Sequence, residues 1–222
     1  VKITYHGHSC FELSGSRRVL IDPFISGNPA ARVKPEELEP EVLLVTHGHE
    51  DHLGDAVHIA KRVKPEIGVV HELAVFFQEQ GVEAAGMNLY GSVELAGVKV
   101  TLLPALHSSS YGGRYMGSAC GYLVEMDGWR IYHAGDTGLF GDMRLIGEVF
   151  SPQVMMVPVG DRYTMSPELA VRAVEMVKPD VVIPMHYRTF PVLAQSIGAF
   201  TEGAEQTGAR VVVLEPGESH EL

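Results

Sequence analysis

Residues 41–52 read Glu41-Val42-Leu43-Leu44-Val45-Thr46-His47-Gly48-His49-Glu50-Asp51-His52. An apolar, β-branched run ends abruptly in four potential metal ligands, His47, His49, Asp51 and His52. The run predicts a strand buried on both faces. In extended chain, residues two apart point to the same side, so His47 and His49 can grip one ion. Gly48 removes the side chain between them and lets the backbone turn tightly. Asp51 and His52 open the following helix and can be aimed at a second point nearby. An acidic residue in a first helical turn needs no metal to explain it. Three histidines beside it do.

The same pattern, an apolar run ending in a polar cluster, recurs at 129–136 (Trp129-Arg130-Ile131-Tyr132-His133-Ala134-Gly135-Asp136) and at 180–186, which ends in His186. It recurs without a histidine at 153–161. Short strands are predicted over 1–6, 9–13 and 18–22, parted by Gly7 and by Ser14-Gly15-Ser16. Leu53, Ala56, Val57, Ala60 and Val63 carry helical spacing, which predicts one helix over 52–63. A strand over 67–71 and a helix over 72–80 ending at Gly81 follow. Hairpins are expected over 92–103, turning at Ala96-Gly97, and over 119–133, turning at Asp127-Gly128. Ser166 and Pro167 suit the cap and first position of a helix over 166–177. A last helix falls over 194–206 and a last strand over 209–214. No linker, repeat or low-complexity tract interrupts this order, which predicts a single domain over 1–222. The fold class is α/β (α+β), with two mixed sheets face to face and helices outside. Sites in such layouts gather where strands turn into loops, and the His and Asp clusters stand there.

Composition narrows the function. The chain has 222 residues, 45% hydrophobic and 20% charged, enough for a substantial core. Its formal charge is −11, with 28 acidic against 17 basic residues. Such a surface argues against nonspecific binding to DNA, RNA or anionic lipid. A small anionic substrate stays allowed, because bound metal charge overrides the global sign locally. No stretch approaches the roughly 20 apolar residues of a membrane helix. The opening Val1-Lys2-Ile3-Thr4-Tyr5 stretch lacks a basic segment followed by an apolar run, so no signal peptide is expected. Cys10 and Cys120 form no disulfide framework and read as buried thiols.

His47, His49, Asp51 and His52 resemble the HxHxDH motif of the metallo-β-lactamase superfamily. That family supplies three further ligands downstream, a His, an Asp and a last His. His107, Asp136 in its Gly135-Asp136 step, and His186 stand after strands in the family's order. Gly7-His8-Ser9, Asp22-Pro23-Phe24 and His186-Tyr187-Arg188-Thr189-Phe190-Pro191 look like the small branch similar to ascorbate-phosphate lactonase. The resemblance implies a four-layer αββα sandwich, a cytoplasmic location and frequent homo-oligomers. It implies two divalent metal ions, zinc first, with manganese, iron or nickel as alternatives. His47, His49 and His107 would take the first ion. Asp51, His52 and His186 would take the second, and Asp136 would bridge them. The implied activity is hydrolysis of a small ester, lactone or phosphoester by a metal-bound hydroxide that Asp51 orients. Penicillin-cleaving members commonly carry Cys where this chain has Asp136. Redox di-iron members carry Glu where it has His49. Both differences favour general hydrolysis.

Other residues carry weaker signals. His8 and Asp22 are candidates to support ligand histidines from behind. Arg114, in the glycine-rich stretch after His107, and Tyr187 and Arg188, beside His186, are candidates to meet the substrate. His6, His58, His71, His133 and His220 read as structural or surface residues. Two other functions compete with hydrolysis of a small molecule. One is a nuclease, which a compact acidic chain disfavours. The other is a metal-binding module without turnover, which a complete ligand set disfavours.

Overall fold

The computed structural model describes residues 1–222. In chain order the strands are β1 (Lys2–Gly7), β2 (Cys10–Ser14), β3 (Arg18–Ile21), β4 (Val42–Leu44), β5 (Glu66–Val70), β6 (Ala85–Met87), β7 (Ser92–Leu95) and β8 (Val98–Pro104). There follow β9 (Ser110–Tyr111), β10 (Arg114–Tyr115), β11 (Cys120–Met126), β12 (Trp129–His133), β13 (Val154–Pro158), β14 (Val181–Met185), β15 (Arg210–Val211) and β16 (Ser219–Glu221). The helices are α1 (Glu50–Leu53), α2 (Ala56–Val63), α3 (His71–Glu79), α4 (Met143–Leu145), α5 (Pro167–Val177) and α6 (Gly198–Gln206).

Two seven-stranded sheets result, ordered β16-β1-β2-β3-β4-β5-β6 and β15-β14-β13-β12-β11-β8-β7, with β9 and β10 as a separate small hairpin. Both sheets are mixed. In the first, β3 to β6 run parallel; in the second, β12 to β15 do.

Alternation along the strands builds the layers. In β13, Val154 and Met156 join the core between the sheets, while Met155 and Val157 join a second core with Ala170, Val174 and Phe200 of α5 and α6. In β14, Val181 and Ile183 divide from Val182 in the same way. A sheet covered on both faces explains why these runs are apolar without polar alternation. Ile59, Leu73 and Phe77 of α2 and α3 belong to the core of the first sheet. The order is thus helix, sheet, sheet, helix: the αββα sandwich.

The hairpin turns have the expected chemistry. Ala96 and Gly97 take φ of 48° and 82°, and Asp127 and Gly128 take 53° and 80°, the left-handed pair that a two-residue turn requires. Ser166 caps α5, its Oγ accepting the Leu169 N–H at 3.3 Å.

Three expectations are corrected. The helix expected over 52–63 is two helices, α1 and α2, parted at Gly54. There φ is 40°, and a Cβ would lie 2.5 Å from the Pro23 carbonyl oxygen. The break admits the 23–26 loop, whose Ile25 and Ser26 N–H groups donate to Asp55 Oδ2 at 3.0 and 2.8 Å. The strand expected over 209–214 is only Arg210–Val211, because the chain then crosses to the core between the sheets, where Leu214 is buried, and it is not the last: β16 follows. The last helix starts at Gly198 rather than 194. The edge strands β6 and β16 and the β9–β10 hairpin carry no periodic signal of their own.

Candidate metal centre

Each of the sequence's candidate ligands stands beyond the end of a strand. His47 and His49 follow β4, and Asp51 and His52 lie in α1; His107 follows β8, Asp136 follows β12 and His186 follows β14. The sandwich brings all seven together. One nitrogen each from His47, His49 and His107 lie within 4.8 Å of one another. The closest approach is His47 Nε2 to His49 Nδ1, 2.9 Å. One atom each from Asp51, His52, His186 and also His8 form a second such group, and His47, His52 and Asp136 a third. Asp136 stands between the groups. Its Oδ2 lies 2.9 Å from His186 Nε2, 3.3 Å from His52 Nε2 and 3.6 Å from His107 Nε2.

Two glycines make this convergence sterically feasible. A Cβ on Gly48 would lie 2.5 Å from the side chain of Met116. A Cβ on Gly160 would lie 2.1 Å from the His186 carbonyl oxygen and 2.8 Å from its Nδ1. His186 itself is held at φ 60°, a conformation rare outside glycine.

With seven candidate ligand side chains at the ends of strands in an αββα sandwich, the family comparison is decisive: the family described as β-lactamase superfamily domain matches residues 2–186. The chain belongs to the metallo-β-lactamase superfamily. The UPF0173 metal-dependent hydrolase of Archaeoglobus fulgidus is 49% identical over 229 residues, covering 100% of this chain and 99% of that protein. The one from Methanosarcina barkeri is 47% identical over 227 residues, with 100% and 99% covered. Among solved structures, Igni18, a metallo hydrolase from Ignicoccus hospitalis, superposes with a TM-score of 0.91 at 38% identity, covering 100% of this chain and 99% of that one. An isothiocyanate hydrolase from Delia radicum gut bacteria shares the fold, with a TM-score of 0.79 at 20% identity and 100% and 99% coverage. This member of the superfamily is a metal-dependent hydrolase.

The electrostatics of the superfamily centre suit a cation. Burial, then the neighbouring His52, push His47 well below the ordinary imidazole range. Burial also lowers His49 and His107, against the pull of Asp51 and Asp136 respectively. A lowered imidazole favours the neutral form that a metal can take as a ligand. Burial acts to raise Asp136, yet His186 and His52 hold its carboxyl well below the usual range. Burial acts to raise Asp51 too, and the hydrogen bond from His8 together with the charges of His52 and His8 outweighs it, holding the carboxyl well below the usual range. For His52, burial disfavours the charge, and Asp136 and Asp22 overcome it, raising the ring well above its ordinary value. His52 Nε2 and Asp136 Oδ1 are buried without a hydrogen-bond partner. Buried polar atoms without a hydrogen-bond partner are uncommon, and a bound ion is one of the things that accounts for them.

The supporting candidates fall against this centre. Asp22 is fully buried. It accepts from the Thr46 N–H and hydroxyl, each at 2.7 Å, and lies 2.7 Å from His52 Nδ1. That contact leaves His52 Nε2 facing the centre, the carboxylate–histidine arrangement that orients metal ligands. His8 is fully buried against Asp51. The substrate candidates are engaged elsewhere. Arg114 pairs with Glu79 of α3, Arg188 lies 3.3 Å from Glu215, and Tyr187 is buried in the core against α5 and α6. Local composition carries no information about these partners, which arrive from distant elements. The structural histidine His133 bonds the Ser9 carbonyl at 2.9 Å and accepts the Gly135 N–H at 3.1 Å.

Sequence reasoning missed the hydroxyls. Thr46 joins Asp22 to His47, whose Nδ1 lies 2.9 Å from Thr46 Oγ1. Ser109 Oγ accepts the Gly48 N–H at 3.1 Å. Thr189 lies 3.0 Å from His8. Adjacency to a ligand candidate was the available signal for Thr46, and Thr189 stood in the family-like stretch 186–191 without a role read for it. A groove of roughly 990 Å³ lies between α2, α3 and the β6 edge and contains none of the clustered candidate ligands.

Proposed function

We propose that the chain is a dinuclear hydrolase of a small ester, lactone or phosphoester. The observation that carries this reading is the pair of His and Asp groups with Asp136 Oδ2 placed against His107 of one and His186 of the other, and with His52 Nε2 and Asp136 Oδ1 buried without a hydrogen bond. His47, His49 and His107 would hold one ion. Asp51, His52 and His186 would hold the other, with Asp136 common to both. Imidazole and carboxylate ligands suit zinc first, then manganese, iron or nickel. When bound, a divalent pair supplies Lewis acidity toward a carbonyl or phosphoryl oxygen and acidifies water toward neutral pH.

The chain's own residues do the rest. His47, His52, Asp136 and His186 are buried, while His49, His107 and Asp51 are partly open. The open side therefore lies along these three, and substrate approaches there. Asp51 is ionised, its side chain one-third exposed (33%), and held from behind by His8. It can accept a hydrogen bond from water and orient that water toward a scissile bond. Leu106, beside His107 and 62% exposed, offers an apolar contact to one arm of a substrate. An acidic chain with its positive charge confined to a metal centre suits a small substrate rather than a polyanion.

The test is turnover by zinc- and manganese-loaded protein on lactones, phosphodiesters, phosphomonoesters and thioesters. Asp51→Asn is expected to lower turnover by about 10²-fold or more, and His52→Ala to abolish it. Unchanged activity and metal content in Asp51→Asn would remove Asp51 from the mechanism.

A further inference from the structure

His8 occupies the turn between β1 and β2 in the left-handed region, at φ 59°, after Gly7 at 103°. It is fully buried, with Phe24 and Phe190 each 5.7 Å away ring to ring. Its polar atoms serve the second ligand group. Its carbonyl oxygen accepts the His186 N–H at 2.7 Å. Its Nε2 lies 3.0 Å from Asp51 Oδ2, and its Nδ1 lies 3.0 Å from Thr189 Oγ1. Asp51 and His186 come from opposite halves of the chain, and this one residue contacts both.

The proton arrangement follows from donor and acceptor chemistry. An ionised carboxylate only accepts, so Nε2 must carry the hydrogen that faces Asp51. In a neutral ring Nδ1 then offers a lone pair, and the Thr189 hydroxyl must donate to it. The other acceptor near that hydroxyl is the Tyr187 carbonyl, at 3.4 Å, the outer edge of a hydrogen bond. The order is therefore Thr189 O–H to His8 Nδ1, and His8 Nε2–H to Asp51 Oδ2. Were Nε2 itself a metal ligand, the opposite tautomer would be required, with Nδ1–H donating to Thr189.

We infer that Thr189 and His8 form a buried relay that fixes the orientation of Asp51, with Thr189 a positioning residue that sets the His8 tautomer. The inference rests on the dinuclear reading for its effect on metal, while the tautomer can be read without it. Removing partners of this kind typically costs about 10- to 100-fold in metal affinity or activity.

The experiment uses the zinc-loaded full chain. Long-range ¹H–¹⁵N correlation spectra of wild-type protein are expected to show His8 protonated at Nε2. Protonation at Nδ1 would overturn the relay. Chelator competition then gives the affinity of each zinc. Thr189→Val keeps the side-chain shape and is expected to weaken the second zinc by about 10-fold or more while sparing the first. Thr189→Ser restores the hydroxyl and is expected to recover most of that loss. Equal affinities in wild type, Thr189→Val and Thr189→Ser would overturn the relay and leave the dinuclear reading standing. A wild-type chain that holds fewer than two zinc ions defeats the dinuclear reading instead, and the His8 tautomer still decides the relay.

Discussion

Asp22 never faces the open side of the centre, yet three donors converge on it: the Thr46 N–H, the Thr46 hydroxyl and His52 Nδ1. Asp22→Asn preserves its shape and replaces one acceptor oxygen by a donor. The expected outcome is a loss of about 10- to 100-fold in metal affinity, measured by chelator competition. The same carboxylate, with Asp136, sets a pH dependence. Both raise His52 well above its ordinary value against the opposing effect of burial, so in the metal-free fold the ring is protonated near neutral pH. A metal must displace that proton. Affinity therefore falls as pH falls, and binding at pH 7 releases a proton, measurable by calorimetry in buffers of different ionisation enthalpy. In Asp22→Asn the released fraction shrinks. At this scale the clustering of the seven candidate ligands was legible because His and Asp groups at strand ends have few other uses. Thr46 and Thr189 were not, because a hydroxyl's role depends on which distant group comes within reach. The engagements of Arg114 with Glu79 and Arg188 with Glu215 were hidden for the same reason.

Among the elements, the loop from β4 into α1 does most to aim the ligands. Gly48 has no room for a methyl group, since a Cβ there meets Met116 at 2.5 Å. Gly48→Ala is expected to cost about 1–3 kcal/mol as overpacking, read as a lower melting temperature, and to weaken the His47–His49–His107 group. Adding Met116→Ala is expected to recover part of the loss. If Gly48→Ala melts and binds metal as wild type does, the tight turn is not a requirement. Ser166→Ala, by contrast, is expected to cost about 1 kcal/mol of stability through the lost cap on α5, without altering metal affinity. The strands and most helices were readable from apolar runs and caps. The break between α1 and α2 was not, because Leu53, Ala56, Val57 and Ala60 keep helical spacing across it. What ends α1 is the close approach of the 23–26 loop at Gly54, a tertiary event with no local signature.

For the molecule as a whole, the sheets and helices are held by two apolar cores. The ligands lie at the strand ends rather than within those cores. Metal removal is therefore expected to abolish turnover and lower the melting temperature while leaving the far-ultraviolet circular dichroism almost unchanged. The ligand-bound fold gains about 2.7 kcal/mol when free metal stands at 100 times its Kd. Loss of secondary structure on chelation would show instead that the metal builds the fold, as in small zinc domains. The αββα layering was legible because a sheet buried on both faces gives continuous apolar runs, seen at 154–159 and 181–185. The crossing of the C-terminus to pair with β1 was not, because β16 is three residues long and follows no such run. The central claim, that side chains scattered from 47 to 186 cage two cations, is tested most directly by anomalous diffraction from crystals of the zinc-loaded chain. The account predicts two zinc peaks about 3.5–4 Å apart, one among His47, His49 and His107, the other among Asp51, His52 and His186, with Asp136 touching both. A single peak, or peaks at other residues, would contradict it.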